Sequence, residues 1–208
     1  MGQAILTQDP YNLIITGVGG QGNVMASRVL ANMLVRKGFA VTIGETFGAS
    51  QRGGSVMSHL RISGQNDWSP QIPKGKAHMI VSLEPIEAVR LLGVYGNEQV
   101  KVLSNTRPIH PLGVISGILT YPPMEDIIAS VKDLVADAWF IPATDEALKM
   151  GNPIYGNVIM LGALAGTGEL PVEREDFLSV MAGSFSEDKM ELNARAFDLG
   201  RALVNGER

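Results

Sequence analysis

Two hydrophobic periods alternate along this chain. Tyr11–Thr16, Phe39–Gly44, Ala77–Leu83, Lys101–Ser104 and Ala138–Pro142 are short, largely apolar and β-branched runs bounded by turn residues. Runs of that length and composition read as buried strands of a parallel sheet. Val56–Ile62 mixes Ser58, His59 and Arg61 with apolar residues and reads as a strand with one wet face. Between the runs, apolar residues recur at helical spacing. Asn23–Arg36 places Met25, Val29, Leu30, Met33 and Leu34 on a stripe and is closed by Lys37-Gly38. Glu84–Leu92 is a short helix, and Met124–Val135 carries Ile127, Ile128, Val131 and Leu134. Helices follow at Thr144–Met150, Asn157–Ala165, Arg174–Ala182 and Lys189–Val204, the last with Leu192, Ala196, Leu199 and Leu203 on one face. Asp67–Lys76 reads as a surface loop. Asn105–Pro123, with four prolines, reads as irregular, with a short strand at Gly113–Ile118. Alternating strands and helices predict an α/β protein, a mostly parallel sheet covered by helices on both faces. No composition shift marks a boundary, so residues 1–208 are expected to form one domain.

Length and composition narrow the function classes. The chain has 208 residues, 45% hydrophobic and 18% charged, enough for a sizeable core. Its formal charge of −4 makes it a poor partner for nucleic acid phosphates. It has no cysteine, which excludes disulfides, thiolate nucleophiles, Cys-ligated zinc and any iron–sulfur cluster held by this chain. His59, His78 and His110 are scattered without metal-ligand spacing, so no metal site is expected. No basic segment leads into an apolar leader, and no apolar run approaches the roughly 18–20 residues that span a bilayer. The expected setting is the cytoplasm, away from membranes.

The densest chemistry is the turn Gly17-Val-Gly19-Gly20-Gln21-Gly22, after one strand and before a helix. That context matches the dinucleotide fingerprint and makes the expected fold a three-layer, Rossmann-like one. Gly17 permits a tight turn, Gly19 lets a phosphate reach the backbone, and Gly22 lets the helix pack closely. Backbone N–H groups of Gly19, Gln21 and Gly22, with the helix dipole, favour an anion. Glu45, ending the second strand, is placed to bond a ribose hydroxyl. The turn thus fits NAD, another anion, or backbone geometry alone. Against NAD, Glu45 leads into Thr46-Phe-Gly-Ala-Ser50-Gln51-Arg52-Gly53-Gly54 rather than a helix.

This second loop joins glycines and hydroxyls to one cation, Arg52. If its strand neighbours the first, both loops share one crevice. Gln51 and Arg52 would then meet a phosphate or a partner's carboxylate. The alternative is a surface loop with a solvated arginine. No general base accompanies Ser50 or Ser55, so a serine hydrolase is unsupported. Glu84, followed by Pro85, reads as a helix cap more than a site residue. His59 reads as structural, the methionines as core filler, and the 105–123 loop as an interface element.

Taken together, the Gly17–Gly22 turn, the helix Asn23-Val-Met-Ala-Ser-Arg-Val-Leu-Ala31 and the segment Gly44–Arg61, with Ser50-Gln-Arg-Gly-Gly-Ser-Val56 at its centre, resemble the gamma-type domain of 2-oxoacid:ferredoxin oxidoreductases. The Asn105-Thr-Arg-Pro-Ile loop and Asn157–Leu164 add to the resemblance, which is strongest to the beta subunit of the indolepyruvate branch and spans roughly Leu13–Val204. The resemblance implies decarboxylation of a 2-oxoacid on thiamine diphosphate, electron exit through 4Fe-4S clusters to ferredoxin, and acyl transfer to coenzyme A. This chain has no Gly-Asp-Gly motif for thiamine diphosphate and no cysteine for a cluster. Both would therefore sit on a larger alpha-subunit partner, with ferredoxin met through the complex. Under this reading the chain has no activity alone. Its residues Gly17, Gly19, Gly20, Gln21, Gly22, Glu45, Ser50, Gln51, Arg52 and Gly53 would shape the coenzyme A entry or the partner interface. A stand-alone NAD-linked enzyme and a ligand-free interaction module are the competing readings.

Overall fold

The computed structural model describes residues 6–47, 54–182 and 186–206. Each predicted apolar run forms a strand: β1 (Tyr11–Val18), β2 (Ala40–Phe47), β3 (Ser55–Ser63), β4 (Met79–Ser82), β5 (Lys101–Asn105) and β6 (Asp137–Ile141). The helices are α1 (Asn23–Arg36), α2 (Pro85–Tyr95), α3 (Leu112–Ile115), α4 (Met124–Leu134), α5 (Ala143–Lys149), α6 (Tyr155–Thr167), α7 (Arg174–Met181) and α8 (Glu187–Gly206). The strands form one sheet in the order β2-β3-β1-β4-β5-β6. β1, β4, β5 and β6 pair in parallel, and β3 runs antiparallel to both β1 and β2. The sheet is therefore mostly parallel, as expected.

Period-2 alternation feeds two cores. Leu13, Ile15, Met79, Val81, Leu103, Trp139 and Ile141 point into a core shared with α1, α5, α6, α7 and α8. Their neighbours Ile14, Ile80, Val102 and Phe140 point into a second core with α2 and α4. Burial on both faces is why these strands read as unbroken apolar runs.

Three expectations are corrected. β3 has no wet face: all but two of its positions are buried, because β2 and β1 flank it and the 64–76 loop folds over it. Its polar side chains are satisfied there. His59 Nδ1 accepts the Ile72 N–H (3.2 Å), and Arg61 Nε donates to Asn12 Oδ1 (3.1 Å) beneath the Trp68 ring. The supposed strand at Gly113–Ile118 is instead the single turn α3. Val114 and Ile115 donate to the Pro111 carbonyl, and Leu119 donates to Gly113, so the backbone closes on itself rather than on a sheet edge. Finally, β1 and β2 are not neighbours, since β3 lies between them.

Candidate functional site

β1 and β4 are adjacent and parallel, yet the chain leaves them in opposite directions across the sheet, to β2 and to β5. Such a reversal opens a crevice beyond the strands' carboxyl ends. A cavity of about 420 Å³ occupies that place. Gly20, Gln21, Gly22 and Met25 line one side, Leu83, Asn105, Ile109, Ala143 and Thr144 the floor, and Asn152–Ile154, Gly156, Asn157 and Met160 the other wall.

The floor is a chain of amide and hydroxyl hydrogen bonds. Gln21 Oε1 accepts the Val18 N–H (2.8 Å), and its Nε2 donates to the Leu83 carbonyl (2.7 Å). Asn105 Nδ2 donates to the same carbonyl (3.0 Å) and to Thr144 Oγ1 (2.9 Å), while Thr144 N–H returns to Asn105 Oδ1 (3.2 Å). These side chains tie together the ends of β1, β4 and β5 and the start of α5. At the wall, Gly22 caps α1 with φ 86°, and a β-carbon there would stand 2.3 Å from Asn157 Nδ2. Asn157 is buried on α6. Among the described residues no ionisable side chain lines the cavity. The first turn of α1 carries no acidic residue and no side-chain cap. The described residues suit the site to binding, by amides, hydroxyl and a helix start, and among them no nucleophile–base pair lines the cavity.

Beside the crevice lies a buried acid. Glu84 caps α2, accepting the Glu87 N–H at 3.1 Å, as its place before Pro85 suggested. Its Oε1 also accepts the Tyr121 hydroxyl (2.6 Å) and the Ile109 N–H (3.3 Å). Burial raises the Glu84 carboxyl above the usual range, against the pull of the hydrogen bonds from Tyr121, Glu87 and Ile109. The Tyr121 hydroxyl is likewise pushed up, by burial first and then by Glu84.

The expected site residues divide into three groups. Gly20, Gln21 and Gly22 line the cavity, and Gly17 packs beneath them against Gln21 and Leu83. Two of the backbone donors expected to face an anion are already used: Gly19 N–H goes to the Gly54 carbonyl (2.8 Å) and Gln21 N–H to Val18 (3.2 Å). The Gly19–Gly54 bond does bring the end of the second loop against the first turn, through antiparallel β3 rather than through adjacent strands. Glu45 is not brought to the crevice. It lies within β2 opposite Ser58, which in turn pairs with Ile15. That places it two strand spacings from β1, roughly 10 Å, and its carboxylate faces Arg28 at 3.9 Å. Ser50, Gln51, Arg52 and Gly53 lie outside the described residues. Sequence reasoning did not single out the side chains of Asn105, Thr144, Asn152 and Asn157 as site residues. Asn105 at a strand's carboxyl end was the available signal.

With this geometry in hand, comparison with known proteins is decisive. The pyruvate ferredoxin/flavodoxin oxidoreductase family matches residues 12–203. The chain belongs to that family. It is 38% identical to the indolepyruvate oxidoreductase subunit IorB of Pyrococcus horikoshii and 37% identical to that of Thermococcus kodakarensis, each over 91% of this chain and 94% of the relative. It is thus a subunit of a 2-oxoacid ferredoxin oxidoreductase. The pyruvate oxidoreductase subunit PORC of Thermotoga maritima has the same fold, with TM-score 0.70 and 21% identity over 94% of this chain and 97% of that one. A 2-oxoglutarate:ferredoxin oxidoreductase from Magnetococcus marinus, solved with 2-oxoglutarate, coenzyme A and succinyl-CoA bound, matches with TM-score 0.76 and 20% identity. That match covers 96% of this chain but 32% of the longer one. Among the described residues no helix is long and apolar enough to cross a membrane.

Proposed function

We propose that this family member is the small subunit of an aryl-pyruvate:ferredoxin oxidoreductase, working with a larger subunit that carries thiamine diphosphate and the iron–sulfur clusters. The observation that carries this reading is the donor set. A cluster needs thiolates, and the chain contains none. His59, buried, and His78, half-buried, spend their Nδ1 atoms on the backbone N–H groups of Ile72 and Asn12. The residues here therefore do not fit the cluster, and electron transfer belongs to a partner. The aryl substrate follows from the likeness to the indolepyruvate oxidoreductase subunits.

The crevice fits part of coenzyme A. That molecule supplies the acyl-accepting thiol on an arm containing two amides, and the neutral lining suits such an arm: the amides of Asn152 and Asn157 stand on the wall above a polar floor of Gln21, Asn105 and Thr144 that is held by its own hydrogen bonds. Phosphate recognition would fall to the α1 start and to Gln51 and Arg52, the latter pair on sequence grounds alone. The NAD reading is less well supported, because Glu45 is held on β2 against Arg28.

The test is a tagged pull-down from anaerobic extract, with iron and thiamine assays and ferredoxin reduction by indolepyruvate and coenzyme A. Recovery of a large iron- and thiamine-containing partner with that activity supports the proposal. Recovery of this chain alone, without iron or activity, overturns it. In the active complex, Arg52→Ala is expected to raise the KM for coenzyme A or weaken assembly. Unchanged values for both would remove Arg52 from the site.

A further inference from the structure

The 106–123 segment carries the densest apolar surface among the described residues. Ile109, Leu112, Ile115, Ile118 and Leu119 are 40, 78, 72, 80 and 59% exposed. From Pro108 to Pro123 the sequence contains no Asp, Glu, Lys or Arg. Isolated exposed apolar residues are ordinary, but five within eleven positions, without an interspersed charge, form a patch that water disfavours.

The patch is also held in shape. Both of its ends rest on one buried atom, Glu84 Oε1, which accepts the Ile109 N–H at 3.3 Å and the Tyr121 hydroxyl at 2.6 Å. Between these anchors α3 closes on Pro111, and Leu119 N–H bonds Gly113 at 2.8 Å. The His110 and Tyr121 rings lie 5.1 Å apart. An apolar surface whose backbone is ordered by internal hydrogen bonds loses little conformational freedom on docking. Ile109 belongs to the crevice lining as well, so a body seated on this patch reaches the mouth of the cavity.

We propose that this knuckle is the docking surface for the large subunit, seated in an apolar, uncharged groove of that partner. This rests on the small-subunit reading above. The occupant is argued from two observations. The same fold forms about a third, 32%, of a single longer chain in the M. marinus oxidoreductase, so there it is joined to a much larger body rather than standing alone. The patch is continuous with a crevice whose described lining carries no ionisable side chain, so a body seated on the patch stands where it can bring reactive groups to the cavity.

The experiment uses the full chain and its co-expressed large subunit. Leu112→Glu with Ile118→Glu places two charges on side chains that are largely in solvent, so the free chain is expected to melt like wild type. Burying such charges in an apolar groove is expected to weaken association roughly 100-fold or more. Val35→Glu, on an exposed α1 position, is expected to leave it unchanged. In the wild-type complex, amides of residues 109–121 are expected to gain protection from hydrogen exchange, a readout independent of any variant. Unchanged affinity of the double variant, or no gain in protection, overturns the docking proposal and leaves the small-subunit reading intact. Concentration-dependent self-association of the free chain, abolished by the double variant while large-subunit binding persists, overturns it in favour of a second copy. Failure of the wild-type chain to bind any large subunit overturns both.

Discussion

Gly22 shows how one residue sets the crevice wall. At φ 86° an L side chain is strained, and a β-carbon would meet Asn157 Nδ2 at 2.3 Å. Gly22→Ala is expected to cost about 1–3 kcal/mol of stability, read by thermal denaturation. Adding Asn157→Ala should return the steric share and leave about 1 kcal/mol from the backbone. A double variant no better than Gly22→Ala would mean that Asn157 does not set the wall. Glu84 makes a pH-dependent contribution. Its carboxyl is raised, so between the ordinary value of 4.5 and the raised one the folded state binds more protons than the unfolded. Its contribution to stability is therefore present below 4.5 and is lost as pH rises through the raised value. Glu84→Gln, which keeps an acceptor for Tyr121, is expected to gain on wild type as pH rises from about 4.5 toward neutrality. Urea denaturation at several pH values checks this, and a pH-independent difference would refute it. His59 and His78 act oppositely. Burial lowers both from 6.5, so the stability they confer is present above that value and lost as pH falls through the lowered one.

Among the elements, α6 and α8 illustrate what periodicity misses. The apolar stripe on α8 reads as Leu192, Ala196, Leu199 and Leu203. The buried face is instead Asn193, Ala194, Ala196, Phe197, Gly200 and Val204, rotated by about one residue. The cause is small-residue packing, which a hydrophobicity pattern does not weigh. A β-carbon on Gly200 would stand 1.9 Å from the Ile159 carbonyl oxygen, and one on Gly162 would stand 2.0 Å from that of Phe197. In an isolated helix, Gly200→Ala would stabilise by about 1 kcal/mol. Here the obstacle is backbone, which cannot swing aside, so the same change is expected to destabilise by about 3 kcal/mol through overpacking. Chemical denaturation decides the sign. A stabilised Gly200→Ala would show that α6 and α8 can separate at little cost. The stripes of α1 and α4 depart in the same sense, since Met25 is 45% and Leu134 54% exposed. Met25 faces the cavity rather than the core.

For the whole molecule, the inserted antiparallel β3 decides which chemistry the crevice can support. By separating β2 from β1 it removes Glu45 from the position where a dinucleotide's ribose would need it. Two outcomes are expected. The isolated chain shows no saturable NAD binding by calorimetry, and Glu45→Ala leaves coenzyme A saturation of the complex unchanged. Tight NAD binding lost in Glu45→Ala would restore the stand-alone enzyme reading.

Much of this molecule is local and therefore legible in one dimension. Strands buried on two faces must be continuously apolar, and Tyr11–Val18 or Met79–Ser82 announce themselves for that reason. Glu84-Pro85 marks a helix start because capping is satisfied within four residues. The absence of cysteine restricts redox chemistry without any coordinates. Strand order is different in kind. Pairing of β3 between β1 and β2 depends on contacts far apart in sequence, and no local residue encodes it. The same holds for the crevice floor, where Gln21, Leu83, Asn105 and Thr144 meet only because three parallel strands and a helix start end at one level. Composition and motif determined the class of fold and carried the family resemblance that implies a partner. Long-range strand pairing and close helix packing decided which amides face the cavity, and which acid does not.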